Sequence, residues 1–308
     1  MALNTYAVKE VVPIFSKRWP IKQSKIKSTY KTHLFILLLT NIIFSNIAIA
    51  EDQGIALNSQ QVVTNVIAEG QCAVIGVSAE QSQLVALQRA RATAIEQAAG
   101  VSVTSSTLVT NFSVTADFIK TYAKGLIVSE KIHWLPLGQY QRDPSMAPIP
   151  EYRVKIQASV YIPQIKIKPL GLKASLNQRI FKSGEKASVY IKIGKQAEIA
   201  IFNIMANDQV VMIYPNNYEN NIIASANESI KIPTPGTKFD FVLSTLPGHE
   251  RDAEAVYIIA KDMEYNLHFD NIFKPLTPMS LSDFFEKYAR IADYCEDMIL
   301  PYEVVANK

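Results

Sequence analysis

The sequence predicts an α+β domain, with helices packed on a mainly antiparallel sheet, followed by an all-β sandwich-like domain and a C-terminal helix. Helical and strand-like segments alternate over residues 62–162, and short β-branched runs separated by turn signals follow over residues 172–262. An amphipathic pattern returns after residue 277. The predicted boundaries are a signal peptide at 1–50, the first domain at 51–163, a linker at 164–171, the second domain at 172–275 and a helical tail at 276–308.

Residues 1–50 have the order of a secretory signal. A long basic region is followed by an apolar run from Leu34 to Ile49, and Ala48-Ile49-Ala50 stands directly before Glu51. We therefore expect cleavage between Ala50 and Glu51 and a periplasmic location. The alternative is an inner-membrane anchor formed by an uncleaved leader, although a spanning helix needs about 20 apolar residues and this run is shorter.

The remainder of the chain is weakly acidic. The whole sequence holds 31 Lys and Arg against 28 Asp and Glu, but the first fifty residues contain seven of the bases and one of the acids. Nucleic-acid binding needs clustered Lys and Arg on the folded body, so this class of partner is not expected. The expected partners are envelope proteins, and membrane association is expected only through an uncleaved leader. The oligomeric state is not predicted.

The first domain contains a helix with alanines four residues apart. Ser78 and Gln81 form an S-x-x-Q capping box, and Gly100 follows the last turn. Within "LVALQRARATAIEQAAG", four small side chains share one ridge of the helix: Ala86, Ala90, Ala94 and Ala98. Small residues allow two backbones to approach closely, so this ridge is predicted to pack against the sheet.

Four strands and a short helix surround this alanine-rich helix. The strands are predicted at "VVTNVIAEGQCAVIG", "VSVTSSTLVTNFSV", "LIVSEKIHWLPL" and "YRVKIQASVYI", and the helix at "ADFIKTYAKG". In this order, residues 62–162 resemble the N-terminal domain of flagellar assembly protein T and related small surface lipoproteins. The resemblance implies an envelope or flagellum-associated role. Lipid anchoring is not expected, because Glu51 stands where a lipoprotein has its cysteine.

The second domain reads as seven short strands, which predicts a β-sandwich of about 100 residues. Asn207-Asp208 lies between two apolar runs, as a hairpin turn would. The segments "FKSGEKASVYIKI", "IAIFNIMANDQVVMIYPNN" and "LPGHERDAEAVYIIA" carry a resemblance to the family called domain of unknown function 4384. The resemblance covers residues 172–262 and implies no activity.

The C-terminal tail shows a helical period. Apolar residues recur at alternating spacings of four and three at Phe284, Tyr288, Ile291, Cys295 and Met298. We expect a helix that docks on one of the domains or on a partner. Export permits a disulfide, so Cys72 and Cys295 are a candidate pair, and two buried thiols are the alternative.

The sequence contains no H-E-x-x-H, G-x-S-x-G, P-loop or G-x-G-x-x-G motif. We therefore predict no enzyme and no catalytic, cofactor-binding or metal-binding residue. His249 with Glu250 and Asp252 could form an acid–base or metal cluster, but a solvated turn is favoured. "NNYENN" at 216–221 lacks the acidic spacing of a calcium loop and is interpreted as a turn, and His133 as a packed strand residue.

Two functions remain after this search. The first is a non-enzymatic interaction or scaffold protein of an envelope or flagellum-associated assembly. The second is a small-ligand sensor or hydrolase with a site between the domains, lined by His249 and nearby carboxylates. An exposed apolar strip would favour the first, and convergent buried polar groups would favour the second. Fold analogy favours the first.

Overall fold

The computed structural model describes residues 57–76, 78–100, 121–122, 124–220 and 223–307. The leader with its cleavage site at Ala50 and Glu51, and the strand predicted at "VSVTSSTLVTNFSV", lie outside these residues. No helix in these ranges has both the length and the apolar character that crossing a membrane requires. Two α-helices are described, α1 (Ala79–Ala99) and α2 (Leu281–Ala289), with 3-10 turns at Ser59–Gln61, Phe269–Asn271 and Ala292–Tyr294.

Most of the regular structure is β-strand, as predicted. The strands are β1 (Val62–Ala73), β2 (Leu126–Trp134), β3 (Gly138–Tyr140), β4 (Ile149–Tyr161), β5 (Lys173–Leu176), β6 (Ile180–Lys182), β7 (Lys186–Ala187), β8 (Val189–Lys192), β9 (Ala197–Ile204), β10 (Gln209–Tyr214), β11 (Ile223–Ala224), β12 (Ser229–Ile232), β13 (Phe241–Val242), β14 (Arg251–Asp262), β15 (Met279–Ser280) and β16 (Cys295–Val305). The predicted hairpin turn at Asn207-Asp208 is confirmed, since it joins β9 to β10 with Asp208 at a φ of 68°.

The first half of the chain forms a four-stranded antiparallel sheet, which we call sheet I. Its order is β1-β4-β2, and β3 pairs with the start of β4. Every second residue from Val154 to Val160 is buried, as expected for a strand with one covered face. The helix α1 packs on this face against β1 and β4.

The predicted ends of α1 are confirmed. The Ser78 hydroxyl accepts the backbone N–H of Gln81 at 3.1 Å, and the Gln81 side chain accepts the N–H of Ser78 at 3.2 Å. This reciprocal pair satisfies two of the N–H groups that a helix start leaves free. Gly100 follows the last turn with a φ of 66°, a left-handed conformation that glycine adopts without steric cost.

The alanine ridge of α1 faces sheet I. Ala86, Ala90 and Ala94 are fully buried. A Cβ atom on Gly70 of β1 would collide with the backbone oxygen of Ala86 and the backbone nitrogen of Ala90. The helix backbone therefore rests directly on the strand at Gly70, and small residues on both elements make this approach sterically feasible.

A seven-stranded sheet, sheet II, forms the centre of the second half. Its order is β15-β10-β9-β14-β16-β6, with β11 added beside β9. All eight residues of β9 are buried, because both faces of sheet II are covered. One face, with Ile201 and Ile258, packs on the small sheets formed by β12-β8-β5 and β13-β7. The other face, with Phe202 and Tyr257, turns toward sheet I.

The helix α2 joins the two large sheets. It packs against β2 of sheet I and β10 of sheet II. The Phe284 ring lies 4.8 Å from Phe202 and 5.5 Å from Tyr257, and the Phe285 ring lies 4.4 Å from Tyr122. One hydrophobic core therefore runs from sheet I through α2 to sheet II.

Two carboxylates hold the segment predicted as a linker, residues 164–171. Asp293 accepts the backbone N–H of Gln164 at 3.0 Å and pairs with Lys166 at 3.0 Å. Glu296 accepts three consecutive backbone N–H groups, from Leu170, Gly171 and Leu172. The connection between the halves is thus fixed by hydrogen bonds to charged acceptors, which are stronger than neutral ones.

The structure corrects the prediction for the C-terminal tail. The helix ends at Ala289, and Cys295 and Met298 lie on strand β16 rather than on a helical stripe. Cys295 pairs with Lys261 of β14, and the antiparallel ladder continues to the end of β16. This long-range ladder outweighs the local helical period, because local propensity is only a weak preference.

The candidate disulfide is not present, and both cysteines are free thiols. Cys72 lies near the end of β1, ten residues from Val62, a distance of about 33 Å along an extended strand. Cys295 lies beside Asp293, which hydrogen-bonds Tyr161 opposite Val62. Cys72 therefore lies near one end of β1, and Cys295, on β16 of sheet II, lies near the other end. Burial raises the pKa of both thiols, so neither has the character of an activated thiolate.

Candidate functional site

A cleft of about 490 Å³ lies between the start of α1 and the start of β14. The α1 side is lined by Gly76, Ser78, Gln81, Leu84, Val85 and Gln88. The opposite side is lined by Ala206, Gly248, His249, Glu250, Arg251, Asp252, Ala253 and Glu303. The volume is in the range of small-molecule pockets, and the cleft combines residues from both halves of the sequence.

A tight turn places His249 in this cleft. The N–H of His249 donates to the carbonyl of Leu246 at 3.0 Å, closing a four-residue turn. Pro247 and Gly248 occupy its central positions, and Gly248 has a φ of 80°. A type II turn favours proline first and needs a positive φ second, so the local sequence "LPGH" itself specifies this geometry.

A buried carboxylate orients the imidazole of His249. Its Nδ1 lies 2.6 Å from Oδ1 of Asp252, whose side chain is 1% exposed. The other Asp252 oxygen accepts the N–H of Leu246 at 2.5 Å, so the carboxylate is fixed from two sides. Because an ionised carboxylate only accepts hydrogen bonds, Nδ1 carries a proton. In the neutral imidazole, Nε2 is therefore an acceptor, and it lies 3.9 Å from Oε2 of Glu80.

Gln88 contributes a buried amide without its full set of partners. The residue lies on α1, is 6% exposed and lines the cleft. Within the described ranges, its Oε1 atom is buried and accepts no hydrogen bond. Most buried polar atoms in proteins are hydrogen-bonded, so an unpartnered acceptor on a residue that lines a cleft points to a ligand contact at this position.

The remaining polar groups hold the walls of the cleft together. Arg251 pairs with Glu303 at 3.0 Å, and the Glu303 carboxylate is buried. Gln81 donates from Nε2 to the carbonyl of Arg251 at 3.1 Å, which joins α1 to β14. The lining therefore has three carboxylates, those of Glu250, Asp252 and Glu303, against one guanidinium, and that guanidinium already has a partner.

The structure changes the interpretation of two histidines. His249 and Asp252 are mostly buried, so their assignment to a solvated turn is wrong, whereas Glu250 is exposed as that assignment implied. The contact of His249 with Glu80, at 3.9 Å from Nε2, brings in α1, which is distant in sequence. His133 lies exposed on β2, so its assignment as a packed residue is also wrong.

In the described parts of the chain, no group of three or more His, Cys, Asp or Glu side chains could hold a metal ion.

The asparagine-rich segment is a structural turn, as predicted. Asn216 accepts the N–H groups of Tyr218 at 2.8 Å and Glu219 at 3.0 Å, and it donates to the carbonyl of Ile213 at 2.7 Å. An asparagine side chain that satisfies its own turn in this way is engaged in backbone structure and not in ligand binding.

Sequence reasoning missed Gln88 and Glu303 as lining residues of the cleft, and Glu80 as the exposed carboxylate beside His249. The available signal was Gln88, an uncharged polar residue four positions after Leu84 and therefore on the same side of α1. Nothing local connects these residues to His249, because the cleft forms only where the start of α1 meets the start of β14, which Gln81 joins through its hydrogen bond to the carbonyl of Arg251.

Residues 180–260 match the family model described as Domain of unknown function (DUF4384), which supports the resemblance of the second half. The match does not extend to residues 62–162, so it gives no support to the resemblance to flagellar assembly protein T. No curated protein matches the chain. The chain is thus similar to this family from β6 into β14, and Glu80 and Gln88 lie outside the matched residues.

Proposed function

We propose that the chain is an exported, non-enzymatic cell-envelope protein that binds a small ligand in the cleft beside His249. The supporting observation is the convergence of buried polar groups on one concave surface. These groups are the His249 imidazole held by Asp252, and the Gln88 amide with its unused oxygen. Positioned polar groups beside apolar surface, which Leu84, Val85, Ala206 and Ala253 provide here, are typical of small-molecule sites.

Binding without turnover is the simplest use of this arrangement. A histidine oriented by a carboxylate can also act as a general base, so the alternative is a hydrolase with the same cleft. The two functions differ in what the protein retains. A sensor retains its ligand unchanged, whereas a hydrolase converts it and releases the products.

Equilibrium dialysis against a small-molecule extract of the source cells tests this proposal. The wild-type protein is compared with Ala253→Trp, in which a large side chain occupies the cleft. The matched control is Lys173→Trp, at an exposed position of β5. We expect mass spectrometry to find a compound retained by the wild type and the control but lost from Ala253→Trp, while thermal unfolding shows all three proteins folded. Equal retention by all three contradicts the proposal.

Export rests on the leader, and we propose a periplasmic location after cleavage between Ala50 and Glu51. The basic region, the apolar run and the small residues at 48–50 follow one another in signal order. N-terminal sequencing of the protein recovered from the periplasm is expected to begin at Glu51. A full-length product retained in the inner membrane contradicts cleavage.

A scaffold role in an envelope or flagellum-associated assembly is the second candidate function. It is supported by exposed apolar residues at the end of β2, where Ile132 is 42% and Trp134 43% exposed, and by Leu137 at 57%. Residues two apart on a strand share a face, and exposed aromatic side chains are frequent anchors of protein interfaces. In-cell photocrosslinking from position 134 is expected to capture an envelope protein that position 133, on the opposite face, does not capture.

A further inference from the structure

We propose that the ligand of the His249 cleft is a small organic cation, an alkylammonium compound with an apolar chain. This inference rests on the proposed binding function and adds the chemical class of the ligand. It is argued from three properties of the cleft, which are its hydrogen-bond acceptors, its charge and its apolar wall.

Three polar groups in or beside the cleft are hydrogen-bond acceptors. Gln88 offers Oε1, which is buried without a donor. His249 offers Nε2, because its Nδ1–H is directed to Asp252. Glu80 offers a carboxylate 3.9 Å from that nitrogen. An ammonium group has three donors and no acceptor, so it complements this set, whereas a carboxylate or phosphate ligand would face acceptors without protons to share.

The net charge of the lining also favours a cationic ligand. The lining carboxylates Glu250, Asp252 and Glu303 stand against Arg251, which pairs with Glu303, and the exposed carboxylate of Glu80 lies beside His249 at the edge of the cleft. The start of α1 contributes roughly half a positive charge from its dipole, and a protonated His249 would add one more. Negative charge remains in excess in either state of the histidine, so a cation is attracted to the cleft and an anion is repelled.

An apolar wall fits a methylene chain. Leu84 and Val85 of α1 face the cleft, together with Ala206 after β9 and Ala253 of β14. Burying each methylene group against such a surface contributes about 0.8 kcal/mol to binding. A cation with an alkyl body therefore uses both the polar and the apolar parts of the lining.

Isothermal titration calorimetry with three probes of equal chain length tests the class. The probes are 1,5-diaminopentane, 1,5-pentanediol and glutarate, titrated into the full chain as processed by the host. We expect the diamine to bind at least tenfold more tightly than the diol, and glutarate not to bind. Glu80→Gln is expected to weaken diamine binding about tenfold, which corresponds to about 1.4 kcal/mol. The matched control, Glu69→Gln, removes an exposed carboxylate from sheet I and should leave diamine binding unchanged.

Absence of diamine binding, or tighter binding of glutarate, overturns the proposed class. An equal loss of affinity in Glu80→Gln and Glu69→Gln also overturns it, because the effect would then reflect net charge and not the cleft. These failures are distinguishable from failure of the binding function. A neutral or anionic compound retained in dialysis by the wild type and lost from Ala253→Trp would leave the cleft a binding site for another ligand.

Discussion

Two polar clusters, one around Gln88 and one around Arg91, lie three residues apart on α1. They differ in whether the polar side-chain atoms of the α1 residue have partners. Arg91 and Gln88 are both more than nine-tenths buried. Arg91 donates to Glu130 through Nε at 2.9 Å and pairs through Nη1 with Asp208. Gln88 lines the open cleft with an unused oxygen. A closed cluster in which each charge meets its partner fixes the structure, whereas an open cluster with an unused group is available for binding.

The closed cluster connects three elements. Glu130 lies on β2 of sheet I, and Asp208 lies in the turn between β9 and β10 of sheet II. Burial by itself would lower the pKa of Arg91, but Asp208 and Glu130 hold that pKa well above its ordinary value. The guanidinium therefore remains charged and joins the two sheets through α1.

Arg91→Met is expected to have the largest effect on stability. Removing the guanidinium leaves Glu130 and Asp208 with an uncompensated charge in a mostly buried site, which costs about 3 to 5 kcal/mol of unfolding free energy. Urea denaturation measures the change. The control Lys155→Met breaks the exposed pair with Glu69 and should cost less than about 1 kcal/mol. Equal losses of unfolding free energy in the two variants would contradict the claim that the buried Arg91 cluster stabilises the fold more than the exposed Lys155–Glu69 pair does.

Glu254 extends the comparison to a buried acid on β14. Burial raises the pKa of Glu254 to about 7, although Tyr302 donates to its carboxylate at 2.5 Å and Asn203 at 3.1 Å. The folded protein therefore binds a proton more tightly than the unfolded chain. Its contribution to stability is fully present below pH 4.5 and is lost as the pH rises to about 7.

Glu254→Gln removes this titration. The difference in unfolding free energy between variant and wild type is expected to shift in favour of the variant by about 3 kcal/mol between pH 4.5 and pH 8. Urea denaturation at several pH values measures it. Glu228→Gln, which removes the same charge from an exposed turn, is the control for net charge. A difference that does not depend on pH would contradict the buried titration.

Gly70→Ala tests the packing that positions both clusters. The added methyl group would collide with the backbone of α1 at Ala86 and Ala90, so the helix must move. We expect a loss of about 1 to 3 kcal/mol in thermal or urea unfolding. At Gly138 a methyl group would be too close only to the flexible Arg153 side chain and would make ordinary contacts with Glu151, so Gly138→Ala should cost less. A Gly70→Ala variant of wild-type stability would mean that α1 does not rest on β1.

The features that the sequence predicts correctly are determined by residues that lie close together in the chain. Ser78 and Gln81 specify the start of α1 through contacts three residues apart, and Asn207-Asp208 specifies a hairpin turn. The helical prediction for the tail is wrong because β16 is held by β14, whose pairing residues are distant in sequence. The second candidate function includes a site lined by His249 and nearby carboxylates, but the α1 side of the cleft is not predicted, for the same reason. His249 was visible as a candidate, but its burial and its neighbour Glu80 follow from the packing of α1.

Gln88→Leu gives the most direct test of the distinction between the two clusters. Leucine has a similar size and no acceptor to leave unsatisfied, so the variant without ligand is expected to be as stable as the wild type or more stable by about 1 kcal/mol in urea denaturation. Arg91→Met, three residues away on the same helix, is expected to lose about 3 to 5 kcal/mol in the same measurement. A loss of more than about 2 kcal/mol in Gln88→Leu would show that Gln88 is structural and would contradict the account of the cleft as a binding site.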